Sequence, residues 1–182
     1  MLYTKNGDEG KTKIFACNQS LSKSSVVAEA LGTLDEVNSF LGVCKSKSKD
    51  FFKVQEKTVD KIIHETQENL FIIQAEVAGA DKTISEEKIL EMESLINEIE
   101  KKLSPIKTFL ISGSTELSAL FDFARTLARR TERRVVAVNE EGLVKIDKNT
   151  LAYLNRLSSL LYALARLSAT ESGLKEESPK YS

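Results

Sequence analysis

Hydrophobic residues recur every three or four positions along most of this chain, which is the period of an amphipathic α-helix. The pattern is clearest at 117–138, where one broad apolar face predicts a helix packed on a core. Its members are Leu117, Leu120, Ala124, Leu127, Ala128, Thr131, Val135 and Val138. The same period predicts four further helices, at about 25–44, 56–80, 85–105 and 150–172. Residues 25–172 are therefore predicted to form an all-α domain, an antiparallel five-helix bundle.

The segments outside these helices lack the helical period, and none shows the alternation of a β-strand. Residues 1–24 are predicted as an N-terminal loop and 45–50 as a polar link. The segment 105–114 is predicted as a second loop, whose Ser112 and Ser114 offer caps for the fourth helix. Residues 173–182 begin with a glycine and are rich in charged side chains, which predicts a flexible C-terminal tail.

Composition narrows the class of protein. The formal net charge of the 182 residues is −1, so no overall basic excess indicates nucleic-acid binding. No apolar run approaches the length of a membrane span, roughly 18 residues. Cys17 and Cys44 lie in no metal-type spacing, and His64 has no second ligand at helical spacing. We therefore expect a soluble, cytoplasmic protein with no membrane partner, no nucleic-acid partner and no metal held by side chains alone.

An arginine cluster at 125–134 gives the fourth helix a candidate function, because five of these ten residues are arginine. Arg125, Arg129 and Glu132 fall on one stripe at the edge of the apolar face, whereas Arg130 points away from it. Guanidinium groups are permanent cations whose forked donors match carboxylate and phosphate. A solvated basic stripe is the simpler interpretation, and a surface for an anionic ligand or a neighbouring helix is the alternative.

The predicted N-terminal loop has residue types that suit phosphate binding. Glycines free backbone N–H groups, and lysine and threonine side chains add further donors. Gly10, Lys11 and Thr12 are similar to the end of a P-loop, but only two residues separate Gly7 from Gly10 where that motif needs four. Both a simple turn and a phosphate-binding loop remain open from these residues.

The first predicted helix carries one carboxylate among small residues. Its apolar face comprises Val26, Ala30, Leu34, Val37, Leu41 and Cys44, and its opposite face comprises Ala28, Gly32, Asp35, Ser39 and Gly42. Small residues allow another backbone or a flat ligand to approach closely, and Asp35 at such a contact needs a cationic or hydrogen-bonding partner. An exposed face without a partner is the alternative interpretation. A similar polar stripe on the last helix comprises Asn155, Ser159, Tyr162 and Arg166.

Four of these stretches together resemble the PduO-type ATP:cob(I)alamin adenosyltransferases. They are residues 4–12, 32–36, 125–133 and 153–158, in the order and at the spacings of that family. The resemblance implies a homotrimer of five-helix bundles, with ATP and the corrin bound between neighbouring subunits. It also implies transfer of the 5′-deoxyadenosyl group of ATP to the cobalt of cob(I)alamin, giving adenosylcobalamin and triphosphate.

The resemblance assigns roles to individual residues. Asp35, Arg125 and Arg129 are expected to be catalytic, with Asp35 and Arg125 paired at the subunit junction. Phe109, Asp35 and Arg125 are expected to bind cobalamin. The residues expected to bind ATP are Thr4, Lys5, Asn6, Gly7, Asp8, Gly10, Lys11, Thr12, Lys23, Arg129, Glu132, Arg133 and Asn155. Mg²⁺ is expected to be held mainly by ATP.

The chain departs from the family pattern at several positions. Asn6 stands where threonine is usual, and the sequence Ser-Gly-Ser at 112–114, with Ser112 and Ser114, replaces Pro-Gly-Gly. Thr131 replaces alanine and Ser159 replaces aspartate. The residues that carry charge are retained. Other partners implied by the chemistry are a cobalamin reductase and an adenosylcobalamin-dependent enzyme. The alternatives are a non-catalytic bundle that binds a nucleotide or another anion through its arginine stripe, and a purely structural trimer.

Overall fold

The computed structural model describes residue 3, residues 5–14 and residues 20–181. The described residues form five helices: α1 (Val26–Lys47), α2 (Val59–Val77), α3 (Glu86–Lys102), α4 (Glu116–Glu140) and α5 (Lys148–Glu171). The predicted helical architecture is confirmed. None of the described helices is long and apolar enough to cross a membrane. Thr4 and Cys17, which the sequence predictions include, lie outside the described residues.

The prediction that the chain contains no strands is wrong in two places. β1 (Lys11–Lys13) pairs with β2 (Ser20–Ser22), and β3 (Lys53–Val54) pairs with β4 (Lys57–Thr58), both antiparallel. Strands of two or three residues are too short to show a repeating alternation, so their pairing is not visible in the sequence. The second hairpin also explains why α2 begins at Val59, later than predicted. At the other side of the link, α1 continues through Lys47, past its predicted end.

The apolar faces pack together in the spatial order α2, α1, α4, α5 and α3. This order follows from the main helix contacts, which join α4 to α5 and to α1, α1 to α2, and α5 to α3. On the predicted face of α4 every residue is buried except Leu120, which is partly buried. On α1, Val27 and not Val26 lies in the core, three positions before Ala30. The helix that carries the arginine cluster is therefore central in the bundle.

Polar side chains cap the helices and join them inside the bundle. At the start of α1, the side chain of Ser25 accepts a hydrogen bond from the N–H of Ala28. At the start of α4, the side chain of Thr115 accepts from the N–H of Ser118, so the cap is Thr115 and neither of the two predicted serines. Tyr153 is 1% exposed, and its hydroxyl accepts a 3.0 Å hydrogen bond from Nδ2 of Asn69. Burial raises the pKa of Tyr153 to about 12. Tyr153 therefore stabilises the core as a neutral phenol.

The segment after α5 contacts the loop that connects α3 to α4. We call residues 104–114 of this connection the Phe109 loop. The N–H of Ile111 donates a 2.8 Å hydrogen bond to the carbonyl of Glu177, and the hydroxyls of Thr108 and Ser178 lie 2.7 Å apart. The sequence pattern, which predicts a flexible tail, contains no sign of these contacts.

Candidate functional site

A cavity of about 390 Å³ lies between the Phe109 loop, α4, α5 and the C-terminal segment. Its lining includes Phe109, Arg125 and Arg129, three residues predicted from the sequence to be functional. The ring of Phe109 is 80% exposed, which is unusual for so large an apolar side chain. We call this space the arginine cavity. It combines an accessible aromatic surface with fixed positive charge.

Arg125 is held in place by neighbours on α4 and α5. Its Nε donates a 2.6 Å hydrogen bond to Oδ1 of Asp122, and its guanidinium carbon lies 5.9 Å from the ring centre of Tyr162. The hydroxyl of Ser112 donates to the other carboxylate oxygen of Asp122. Sequence reasoning missed Asp122, although it precedes Arg125 by three positions, a spacing that brings helical side chains together. The aspartate thus links the Phe109 loop to Arg125.

Asp122 has a lowered pKa, which predicts a pH effect on stability. Burial by itself raises the pKa of this carboxyl. Hydrogen bonds from Arg125 and Ser112, together with the charge of Arg125, outweigh that effect, so the pKa lies below its ordinary value. A carboxyl with a lowered folded-state pKa stabilises the protein above its unfolded-state pKa, about 3.9, and loses this effect as the pH falls through the folded-state value.

We therefore expect Asp122→Asn to reduce the loss of stability on acidification below about pH 4. Urea unfolding of the variant and the parent between neutral and acid pH measures this difference. Asp81→Asn, which changes an exposed aspartate in a turn, is the matched control. A difference in unfolding free energy between Asp122→Asn and the parent that stayed constant at every pH would contradict the assignment.

A second cavity, of about 1000 Å³, lies beside the β1–β2 sheet, α1 and α2. Its lining includes the predicted site residues Thr12, Lys23 and Asp35, together with Phe71, which sequence reasoning missed and which is 62% exposed. We call this space the sheet cavity. None of the described residues that line it also lines the arginine cavity. Within one chain, the structure therefore does not bring Asp35 into the cavity that holds Arg125.

Lys23 stabilises a turn in the N-terminal segment through two hydrogen bonds. Its Nζ donates a 2.8 Å hydrogen bond to the carbonyl of Gly7, and its backbone N–H donates to the carbonyl of Gly10 at 2.9 Å. A Cβ atom at Gly7 would lie 2.8 Å from Nζ of Lys23, so a larger residue there would displace the end of this lysine side chain. The side chains around this turn remain exposed; they are those of Lys5, Asn6, Asp8 and Lys11. The segment thus presents polar groups on a defined turn.

The remaining predicted ATP residues meet along the seam between α4 and α5. Nδ2 of Asn155 donates a 3.0 Å hydrogen bond to Oε1 of Glu132. Nη1 of Arg133 donates to the carbonyl of Arg129 at 3.0 Å. These bonds join Glu132 to α5, and Arg133 to Arg129, which lines the arginine cavity.

Side chains that could coordinate a metal ion do not cluster in the described part of the chain. Among the residues that the structure describes, no three His, Cys, Asp or Glu side chains cluster in a way that holds a metal ion. Cys44 is buried as a free thiol, and burial raises its pKa to about 12, which makes it a poor ligand at neutral pH.

Similarity to known proteins is extensive. A family model described as cobalamin adenosyltransferase matches residues 2–168. The corrinoid adenosyltransferase PduO of Salmonella typhimurium is 36% identical over 172 residues, which cover 91% of this chain and 48% of that protein. The corrinoid adenosyltransferase of Citrobacter freundii is 35% identical over 176 residues, which cover 93% of this chain and 95% of that protein. The chain thus spans about half the length of the Salmonella relative and nearly all of the Citrobacter one.

The fold agrees with these sequence matches. A solved structure of a variant PduO-type ATP:corrinoid adenosyltransferase from Lactobacillus reuteri, complexed with cobalamin and ATP, superposes with a TM-score of 0.90. The two sequences are 29% identical, and the match covers 100% of this chain and 97% of that one. Because the family model, the relatives and the fold all agree over almost the whole sequence, this chain belongs to the cobalamin adenosyltransferase family.

Proposed function

We propose that this chain transfers the 5′-deoxyadenosyl group of ATP to the cobalt of cob(I)alamin, giving adenosylcobalamin and triphosphate. The observation that carries the proposal is the arginine cavity, where an exposed aromatic ring lies beside three arginines, Arg125, Arg129 and Arg166. A relative of the same fold is complexed with both cobalamin and ATP. In this reaction the electron pair of Co(I) forms a bond to the 5′ carbon, and the bond from that carbon to oxygen breaks as triphosphate leaves.

The substrates supply the reactive atoms, so the protein needs no nucleophile or general base. Its proposed task is to hold the reactants in line and to stabilise the charge that develops on the triphosphate. Arg129 suits the second role, because its side chain is exposed in the cavity and forms no ion pair with any described residue. Phe109 suits exclusion of water from cobalt, because its ring is accessible to a flat ligand.

We also propose that the active sites lie between the subunits of a homotrimer. In each chain, Asp35 and Arg125 line two different cavities. An interface that joins two different patches of identical subunits closes into a ring when the rotation allows it. The face of α1 around Asp35 is open, since a Cβ atom at Gly32 would meet nothing within 4 Å. A neighbour's Arg125 is the proposed partner of Asp35.

In this arrangement, the N-terminal turn and the seam between α4 and α5 hold ATP from two sides. Lys23 and Thr12 line the sheet cavity, while Glu132 and Asn155 are already hydrogen bonded to one another on α4 and α5. Mg²⁺ would neutralise triphosphate charge when it is bound with ATP. The proposed working environment is the cytoplasm, with a reductase that supplies Co(I) and an adenosylcobalamin-dependent enzyme that receives the product.

An anaerobic assay with ATP and chemically reduced cobalamin tests the proposed function. We expect adenosylcobalamin and triphosphate to form in equal amounts, and no product when the reductant is omitted. Binding of ATP without transfer would instead indicate a non-catalytic bundle that binds anions. If neither ATP nor cobalamin stabilised the protein against unfolding, a purely structural role would replace both readings.

A further inference from the structure

We propose that Arg166 and Glu176 form a clasp that holds the Phe109 loop, so that Arg166 is a positioning residue for corrin binding. The proposal rests on the function proposed above. It assigns a role to two residues that the sequence predictions left outside the site. Neither residue needs to touch the substrates, because the clasp acts through the position of Phe109.

The clasp is a part-buried, bidentate ion pair. Nε of Arg166 lies 3.1 Å from Oε1 and 3.0 Å from Oε2 of Glu176, and Nη2 lies 2.9 Å from Oε2. Arg166 is only 8% exposed. Two parallel hydrogen bonds between a guanidinium and a carboxylate fix direction as well as distance. The C-terminal segment is therefore anchored to α5 at a defined point.

The same guanidinium also holds the start of the Phe109 loop. Nη2 of Arg166 donates a 3.0 Å hydrogen bond to the carbonyl of Ser104. Glu177, the residue after Glu176, accepts a hydrogen bond from the backbone N–H of Ile111 at 2.8 Å. One side chain thus connects α5, the C-terminal segment and the loop, and the contacts lie on both sides of Phe109 in the sequence.

Apart from the clasp, the side-chain contacts that join the Phe109 loop to the rest of the described chain include Ser112 to Asp122 and Thr108 to Ser178, and both involve exposed hydroxyls. Most of its residues are exposed, and the 80% exposure of Phe109 means that its own ring supplies little packing. Segments with few buried contacts open most easily, so their position depends on the contacts that remain. Arg166 and Glu176 line the arginine cavity beside Phe109, and their clasp sets the position of this loop rather than that of the N-terminal turn proposed to hold ATP. The expected effect is therefore selective for the corrin.

The test compares Glu176→Ala with Glu177→Ala. Each variant removes one glutamate side chain from the C-terminal segment, but only Glu176 pairs with Arg166, and the main-chain bond of Glu177 is kept. We expect Glu176→Ala to raise the KM for cob(I)alamin about tenfold, with the KM for ATP unchanged. Glu177→Ala should behave as the parent. Glu176→Gln retains one acceptor for Arg166 and should show a smaller increase.

Amide exchange provides a readout that does not depend on activity. We expect the N–H of Ile111 to exchange faster in Glu176→Ala than in Glu177→Ala or the parent. Equal exchange in all three, or equal corrinoid KM values in the two alanine variants, would overturn the clasp. A parallel rise in the KM for ATP would show general damage, and also overturn it. An inactive parent would overturn the proposed function, whereas the exchange experiment would still test the contact.

Discussion

Mixing two impaired variants, Asp35→Asn and Arg125→Ala, is expected to restore activity. If the two residues pair across a desolvated subunit junction, losing either leaves an uncompensated charge at a cost of about 3–5 kcal/mol, or at least about a hundredfold in kcat/KM. Each variant retains the residue that the other lacks. In a mixed ring, one junction combines Asp35 from one chain with Arg125 from the next. That junction has both native residues and should be active.

The fraction of activity that mixing should restore follows from the symmetry of a three-membered ring. In every trimer that contains both variants, one of three junctions is intact, so random mixing should restore about one quarter of the parent's sites. Co-expression of the two variants followed by the anaerobic assay measures the recovery. The matched control mixes Asp35→Asn with a chain that carries both substitutions, because no junction then contains Asp35. Activity equal to the average of the separate variants would show that the two residues do not act across chains.

The structure adds an asymmetry between the two single variants. Asp35 is exposed in the isolated chain, so Asp35→Asn removes a contact that exists only in the assembly. Arg125→Ala also leaves Asp122 without the arginine that bonds it at 2.6 Å. We therefore expect Arg125→Ala to be the more damaging change. The chain carrying both substitutions should lose less than the sum of the two effects, because residues in contact are coupled.

Arg129→Ala is expected to lower kcat by about a hundredfold to a thousandfold, the usual loss when one donor to developing charge is removed. Arg129 is exposed in the arginine cavity and forms no ion pair with any residue that the structure describes. Its charge is therefore available to the leaving triphosphate. Single-turnover measurement of adenosyl transfer at saturating ATP separates this effect from weaker binding.

Arg134→Ala is the matched control for Arg129→Ala. Arg134 lies on the same helix, but its Nε is 3.5 Å from Oε1 of Glu29 on α1. An exposed pair of this kind contributes about 1 kcal/mol or less to stability, so the variant should fold and retain its rate. Equal losses of rate in the two variants would show that the total charge of α4, and not the position of Arg129, supports the reaction.

The helices and their buried faces were predictable from the sequence, because the helical period is a local property. The eight residues of the apolar face on α4 define the same face in the sequence and in the structure. The residue types of the proposed site were predictable for a similar reason. Arginine, lysine and glycine have chemical preferences that do not depend on their neighbours, so Arg125, Arg129 and the turn at Gly7 stood out before the fold was known.

Contacts between residues distant in sequence required the tertiary structure. The sequence contains no sign that Arg166 bonds to both Ser104 and Glu176, because a side chain's partner depends on which segments the folded bundle places beside it. The short β1–β2 pairing has the same origin, since two strands of three residues are stable only where a larger fold holds them together. The separation of Asp35 and Arg125 into two cavities is likewise decided by packing, which places Asp35 beside α2 and the β1–β2 sheet and Arg125 beside α5 and the Phe109 loop.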